Sequence, residues 1–304
     1  MSSLTSPALV FASDKAILST RKALAKVSAF ATDFTADAVQ PGSILKIPVY
    51  DGGTAEAFDA DSANYSHATG TLKFAAVEFS HHVKATFEFT DKDFLEFNTS
   101  NVWQKSGDAA GRAISKAIVS AVSGLFVYTA RKAEISSWSA SKAGLAGLRA
   151  ACAANGLDPA DCVVMIQPEE FASVLASLDA NVYGGSEAIR NGVIEGLYGF
   201  KAVIENSDLP KNNGEATTKA VGVICPADAV AIAGRVVPVG SPAVYQEVGT
   251  QTDEVTGLTL GVRRHADPDK GANFLTVECL FGAALTYAAD GADKAPRFLQ
   301  ISKA

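Results

Sequence analysis

Two adjacent histidines, His81 and His82, are the first residues that invite a chemical reading, because imidazole nitrogens are common ligands for zinc and related ions. They sit in a stretch of alternating polarity, so on a strand they point to opposite faces, and no cysteine or third histidine stands at ligand spacing. Surface or interface histidines are the simpler reading. Gly192, Gly196 and Gly199 suggest a nucleotide loop, but such a loop follows a strand and opens a helix; this one precedes an apolar run and lacks the Gly-Lys-Ser/Thr ending. Glu169-Glu170, directly after Pro168, reads as the acidic first turn of a helix and not as an acid–base pair. No Gly-x-Ser-x-Gly elbow occurs. Arg263-Arg264, followed by His265, is a tight basic cluster, and it suits a solvated loop, a neighbouring subunit or a phosphate. The chain therefore names no catalytic, cofactor-binding or metal-binding residue and calls for no cofactor.

Composition narrows the classes further. A chain of 304 residues, 48% of them apolar, is ordered and long enough for one large or two modest domains. Its formal charge of -7, with scattered lysines and arginines, argues against a dedicated nucleic-acid grip. The four cysteines stand among small or apolar residues without a Cys-x-x-Cys pair, as reduced core thiols in a cytoplasm-like setting do. Met1 to Asp14 lacks the basic start and apolar core of a signal peptide, and no window of about 18 apolar residues could span a membrane.

The elements that must position any site follow from periodicity. Asp14 to Phe30 forms the helical portion of an N-terminal arm over residues 1–40. Pro41-Gly42 turns into a strand from Ile44 to Tyr50, which Pro48 demotes to an edge or bulge. After a loop from Asp51 to Gly70, Val77, Phe79, Val83, Ala85, Phe87 and Phe89 all fall on odd positions, which predicts one long strand with one apolar face and a projecting hairpin. A lone hairpin is barely stable, so that face needs a cover, from the same chain or from a neighbour.

Ser106 is the expected cap of a long helix reaching Lys132, with Ala110, Ile114, Ile118 and Val122 on its apolar stripe and Arg131 and Lys132 at its C-terminal end. A second helix over Ser141 to Ala154 stops at Asn155-Gly156. Cys162 to Ile166 is a buried strand, Pro168 opens the helix Glu169 to Leu178, and Gly192 to Gly199 is a glycine turn before the strand Phe200 to Ile204. Ala220 to Cys225 is a strand and Pro226 to Ala233 a short helix, followed by strands over Leu258 to Arg264 and Phe274 to Tyr287 and a terminal strand-like piece, Pro296 to Ile301.

Several of these segments together carry a resemblance. Asn155-Gly156-Leu157-Asp158-Pro159, the run Cys162 to Ile166, Gln167-Pro168-Glu169-Glu170-Phe171, and Gly196-Leu197-Tyr198-Gly199-Phe200-Lys201-Ala202-Val203 with Ser207 and Leu209-Pro210 follow one another as in the central domain of tailed-bacteriophage major capsid proteins. The chain resembles that family in element order from about residue 40 to the end. The resemblance implies an α+β, Hong Kong 97-type fold with a long spine helix (106–132), an extended hairpin loop (41–90), a discontinuous peripheral domain (91–139 and 246–304) and an axial domain (140–245).

It also implies a structural role: pentamers and hexamers of many copies, an icosahedral head around double-stranded DNA held without sequence-specific binding, and no enzymatic activity. Portal and decoration proteins are the partners that go with such a shell. The absence of a long charged helical preface before residue 40 adds the expectation of a separate scaffolding protein. The candidates for contact between subunits are Val77, Phe79, Val83, Phe87, Phe89, Arg263 and Arg264. An encapsulin-like cellular shell, which shares the fold and encloses a cargo enzyme in place of DNA, is the second reading; a soluble α/β enzyme built on residues 140–245 is the alternative of a different class.

Overall fold

The computed structural model describes residues 7–33, 44–50, 72–96, 99–178, 193–210, 219–237, 245–254, 256–286, 288–290, 293–295 and 297–303. The loop expected over Asp51 to Gly70 lies outside them.

From the N-terminus come α1 (Pro7–Leu24), β1 (Ala31–Asp33), β2 (Leu45–Tyr50), β3 (Leu72–Val77), β4 (His81–Thr90), α2 (Asp91–Glu96) and α3 (Thr99–Ser123). The middle of the chain forms β5 (Ala133–Ile135), α4 (Lys142–Ala154), β6 (Cys162–Ile166), α5 (Pro168–Ser177), β7 (Val193–Glu195), β8 (Ala202–Glu205) and β9 (Lys219–Pro226). The last part supplies β10 (Val230–Arg235), β11 (Glu247–Thr252), β12 (Thr259–Asp267), β13 (Ala272–Leu285), β14 (Ala288–Asp290), β15 (Asp293–Ala295) and β16 (Leu299–Lys303).

Two six-stranded sheets carry the architecture. In the first, the long β13 pairs along one edge with β4 and along the other with β12 and then β10, with β11 and β1 outermost. The second runs β5-β16-β9-β6-β8-β7. One core joins them: apolar residues of α1 and α3, the inner face of the first sheet and one face of the second, the last through Val163, Met165, Ile204 and Val223, form a single cluster. The opposite face of the second sheet packs beneath α4 and α5 around Leu145, Leu148, Val164, Ile166 and Phe171. The outer face of the first sheet is partly covered by the β2–β3 hairpin, through Ile47, Ala75 and Val77 against Ala231 and Ala233.

Several expectations are corrected. The alternating stretch from Val77 to Phe89 is two strands that face different layers. Ser80 N–H bonds back to the Glu78 carbonyl (3.0 Å), and this bend puts Val77 and Phe79 in the outer cluster and Val83, Ala85, Phe87 and Phe89 toward α3. The long helix starts at Thr99, seven residues before Ser106, and ends at Ser123. Ser106 is a buried interior residue whose hydroxyl donates to the Trp103 carbonyl (2.9 Å). Arg131 and Lys132 lie beyond the helix; Arg131 pairs with Glu134 (3.0 Å) and donates to Gln300 (2.9 Å).

No helix forms over the expected Pro226 to Ala233: Pro226 ends β9, and Val230 to Ala233 belong to β10. Its period of two decides this: Val230 and Ile232 face the main core, and Ala231 and Ala233 fit under the hairpin. Three strands pair across the expected division: β10 pairs in the first sheet with β13, while β5 and β16 join the second sheet beside β9.

The residues expected as an arm hold a helix that docks on the same chain. Ala12 and Ala16 of α1 meet Gly107 and Gly111 of α3, where an added Cβ would lie 2.1 Å and 2.3 Å from the Ala12 and Ala16 carbonyl oxygens. Backbone meets backbone there, so only glycine fits.

Candidate assembly surfaces

Three of the sequence-predicted contact residues, Val83, Phe87 and Phe89, lie on β4. On the inner face of β4, Phe89 packs edge-on to Trp103 of α3 (ring centroids 4.9 Å apart), which anchors the strand's end to the long helix. His81 and His82 part to opposite faces: His81 stacks on Phe281 (5.1 Å), and His82 Nε2 meets Glu278 Oε2 at 3.0 Å. The outer face carries a charged ladder across three strands. Glu278 of β13, with its side chain only 5% exposed, is held by His82 of β4 and by Arg263 Nε of β12. Arg263 continues the ladder by donating to the Tyr245 hydroxyl (3.3 Å). A carboxylate so deep is costly unless paired, so the ladder fixes β4, β13 and β12 in one register.

The seven candidate contact residues do not form one patch. Val77 and Phe89 are closed into the chain's own core, whereas Phe79, Val83 and Phe87 are half-buried and keep some surface. Arg263 and Arg264, adjacent in sequence, point to opposite faces. Arg263 joins the outer ladder, and Arg264 lies over the Trp103 ring (5.6 Å) beside Asn273 (3.5 Å). Strand alternation divides this basic cluster.

Features that sequence reasoning passed over lie elsewhere. Phe11 and Leu18 are exposed one heptad apart on α1, as are Ile44 before β2 and Val236 after β10. The Ala-x3-Ala and Gly-x3-Gly spacings in α1 and α3 were the legible signal of close helix packing, and hence of which face of α1 turns outward. At its C-terminal end α1 is tied to the first sheet by Arg21 Nε, which bonds Asp253 Oδ1 at 3.1 Å. That hydrogen bond raises the Arg21 pKa above its ordinary value.

A cavity of about 670 Å³ opens where the two sheets meet, walled by Leu24, Val27, Ile118 and Leu258. Its charged rim includes the ion pair Arg297–Asp228 (2.9 Å). These two groups neutralise each other and do not set a nucleophile against a base. Among the described residues no group of three or more His, Cys, Asp or Glu could hold a metal ion, and no helix is long and apolar enough to cross a membrane.

No protein-family model and no curated protein sequence matches the chain. Solved structures do. The capsid structure of cyanophage P-SCSP1u superposes with a TM-score of 0.57 at 13% identity, over 91% of this chain and 88% of that one. The capsid of a native GTA particle gives 0.53 at 12% identity, over 93% and 90%. The mature capsid of bacteriophage PhiM1 gives 0.52 at 10% identity, over 90% and 86%. The chain has the Hong Kong 97-type capsid fold. The resemblance read from residue 40 onward is thus carried by the backbone. In the capsid fold of this chain α3 is the long helix, and it is the element whose stripe the sequence showed most clearly.

Proposed function

We propose that this chain is the major capsid protein of a tailed phage or a phage-derived particle, many copies of which form pentamers and hexamers of a closed head around double-stranded DNA. The observation that carries the reading is that about nine tenths of the chain superposes on subunits from capsids. In this reading the first sheet with α1 and α3 is the peripheral part and the second sheet with α4 and α5 packs around the capsomer axis. The half-buried Phe79, Val83 and Phe87 and the exposed Phe11, Leu18 and Ile44 supply apolar surface to neighbouring copies. Each contact is small, and repetition around a closed shell makes the set strong. The role is structural, a separate scaffolding protein guides closure, and portal and decoration proteins complete the particle. The net charge of -7 suits a wall that contains DNA without gripping it.

Negative-stain electron microscopy with light scattering on the purified protein tests this. Closed shells, or rings of five and six, are expected, and nuclease-resistant double-stranded DNA inside native particles separates a virus from a compartment loaded with a cargo protein. A monomer or dimer that stays small when its scaffolding protein is coexpressed would overturn the assembly reading.

A further inference from the structure

We infer that the solvent-facing side of the α1–α3 layer is a non-specific contact surface for the phosphate backbone of double-stranded DNA. The biological partner rests on the capsid reading; the test of the surface does not.

The face is assembled from two helices that run in parallel. Ala12 sits against Gly107 and Ala16 against Gly111, and the Thr20 hydroxyl donates to the Gly111 carbonyl (3.4 Å), so equal steps along α1 and α3 keep the two in register. Both bury their apolar stripes under the first sheet, which leaves their opposite sides in solvent. Lys15 and Lys22, one heptad apart on α1, are exposed there. So are Lys105, Arg112 and Lys116 on α3, at spacings of seven and four that keep to one helix face. Lys26, just beyond α1, ends the row and borders the same cavity of about 570 Å³ as Arg112 and Lys116.

By the helix register, the row from Lys105 to Lys26 is about 24 Å long at about 1.5 Å per residue. That is about two thirds of a turn of B-DNA. Arg112 pairs with Asp108, and Lys26 with Glu205 (3.7 Å). Lys15, Lys22, Lys105 and Lys116 have no ion pair among the described residues. Asp208 borders the cavity, and Asp14, bonded by Gln251 (2.9 Å), lies on the flank of α1 away from α3. The face therefore keeps a surplus of positive charge in a chain whose total is -7.

Charge and shape together select the occupant. Glycine and alanine close the seam between the helices, so most of the row offers charge without a cleft for the side chains of a peptide. Lysines on flexible stems neutralise phosphates and read no bases, and a stiff, uniformly anionic duplex suits such a row. The contact is weak for each subunit, so the acidic wall touches DNA without clamping it.

The test titrates a fluorescent duplex of about 20 base pairs with full-length protein, at concentrations where light scattering shows no shells, and reads anisotropy from about 50 to about 200 mM salt. Four unpaired lysines predict a slope of log affinity against log salt of about -3.6, so this rise in salt weakens binding about 150-fold. A duplex of scrambled sequence binds equally. The pair Lys15→Ala with Lys22→Ala, and the pair Lys105→Ala with Lys116→Ala, each bring the slope to about -1.8. The pair Lys84→Ala with Lys270→Ala, exposed on the first sheet, leaves it unchanged. No binding at low salt, a slope that either helix's pair leaves untouched, or an equal effect of the control pair would each overturn the inference. So would polyglutamate of matched charge binding as tightly, because the face would then suit an acidic protein. Shells that form from subunits without DNA affinity would sink this inference alone, whereas subunits that bind the duplex and never form shells would leave it standing and count against assembly.

Discussion

The two sheets of this molecule are stabilised in different ways, and the contrast explains much of its behaviour. In the second sheet β6 is buried at every position, Cys162 through Ile166, between the α3 side and the α4 side. Its strands are short and its cohesion comes from apolar contact on both faces. In the first sheet β4 and β13 are long, one face lies on α3, and the other is only partly covered by the β2–β3 hairpin. There the register rests on the Glu278 ladder as well as on packing. One sheet tolerates little change of volume; the other tolerates little change of charge.

That contrast can be broken or sharpened by substitution. Glu278→Gln leaves Arg263, itself 11% exposed at the side chain, with its partner charge removed, and the expected loss of stability is about 3–5 kcal/mol in denaturant titration. The double change Glu278→Leu with Arg263→Met should recover most of it, because no unpaired buried charge remains; a double variant as unstable as the single one would show that the ladder is not electrostatic. Ile166→Ala in the second sheet should cost about 2–5 kcal/mol through the cavity it leaves, with no rescue from any charge change. A loss under about 1 kcal/mol would mean that β6 can collapse around the gap.

His82→Ala removes the exposed end of the ladder. With 47% of the His82 side chain exposed, the expected loss is only about 0.2–1 kcal/mol, and a larger one would move the ladder's weight from Arg263 to His82. The smallest effect is at the end of β4. Asp93 accepts from the Thr90 hydroxyl (2.7 Å) and N–H (2.8 Å), and these bonds hold its carboxyl below the usual aspartate value. A carboxyl depressed in the folded state stabilises above its unfolded pKa and loses that contribution as pH falls through the folded value. Protection of the Thr90 amide in hydrogen exchange should therefore persist on acidification through the ordinary carboxylate range and fade only below it. Fading that begins above that range would remove the bond from the account.

Continuous apolar runs and period-four stripes were legible because burial imposes them within one element. Cys162 to Ile166 was read with its observed bounds, and the helix over Ser141 to Ala154 was read from its stop at Asn155-Gly156, with Ser141 as the observed cap. Where the reading failed, two layers had exchanged roles across a short bend. Odd positions from Val77 to Phe89 look like one face, yet the Glu78–Ser80 bend sends the first two to a different cluster from the rest. Ser106 was read as the cap because serine favours that position, and Gly107 and Gly111 fall inside the observed helix. Only the approach of Ala12 and Ala16, more than ninety positions earlier, explains why glycine belongs there. The candidate contact residues met the same limit, since an apolar strand face serves its own core and a neighbour with the same alternation, and burial alone separates Phe89 from Phe87.

By itself the sequence determined most element types, the buried β6, the stripe of α3 and an element order that points to capsid proteins, because periodicity and turn chemistry are local. The tertiary structure decided which elements meet: that β10 and β16 trade sheets and that Arg263 and Arg264 part company. Pairing across long stretches of chain depends on which surfaces bury one another, and no local pattern encodes that.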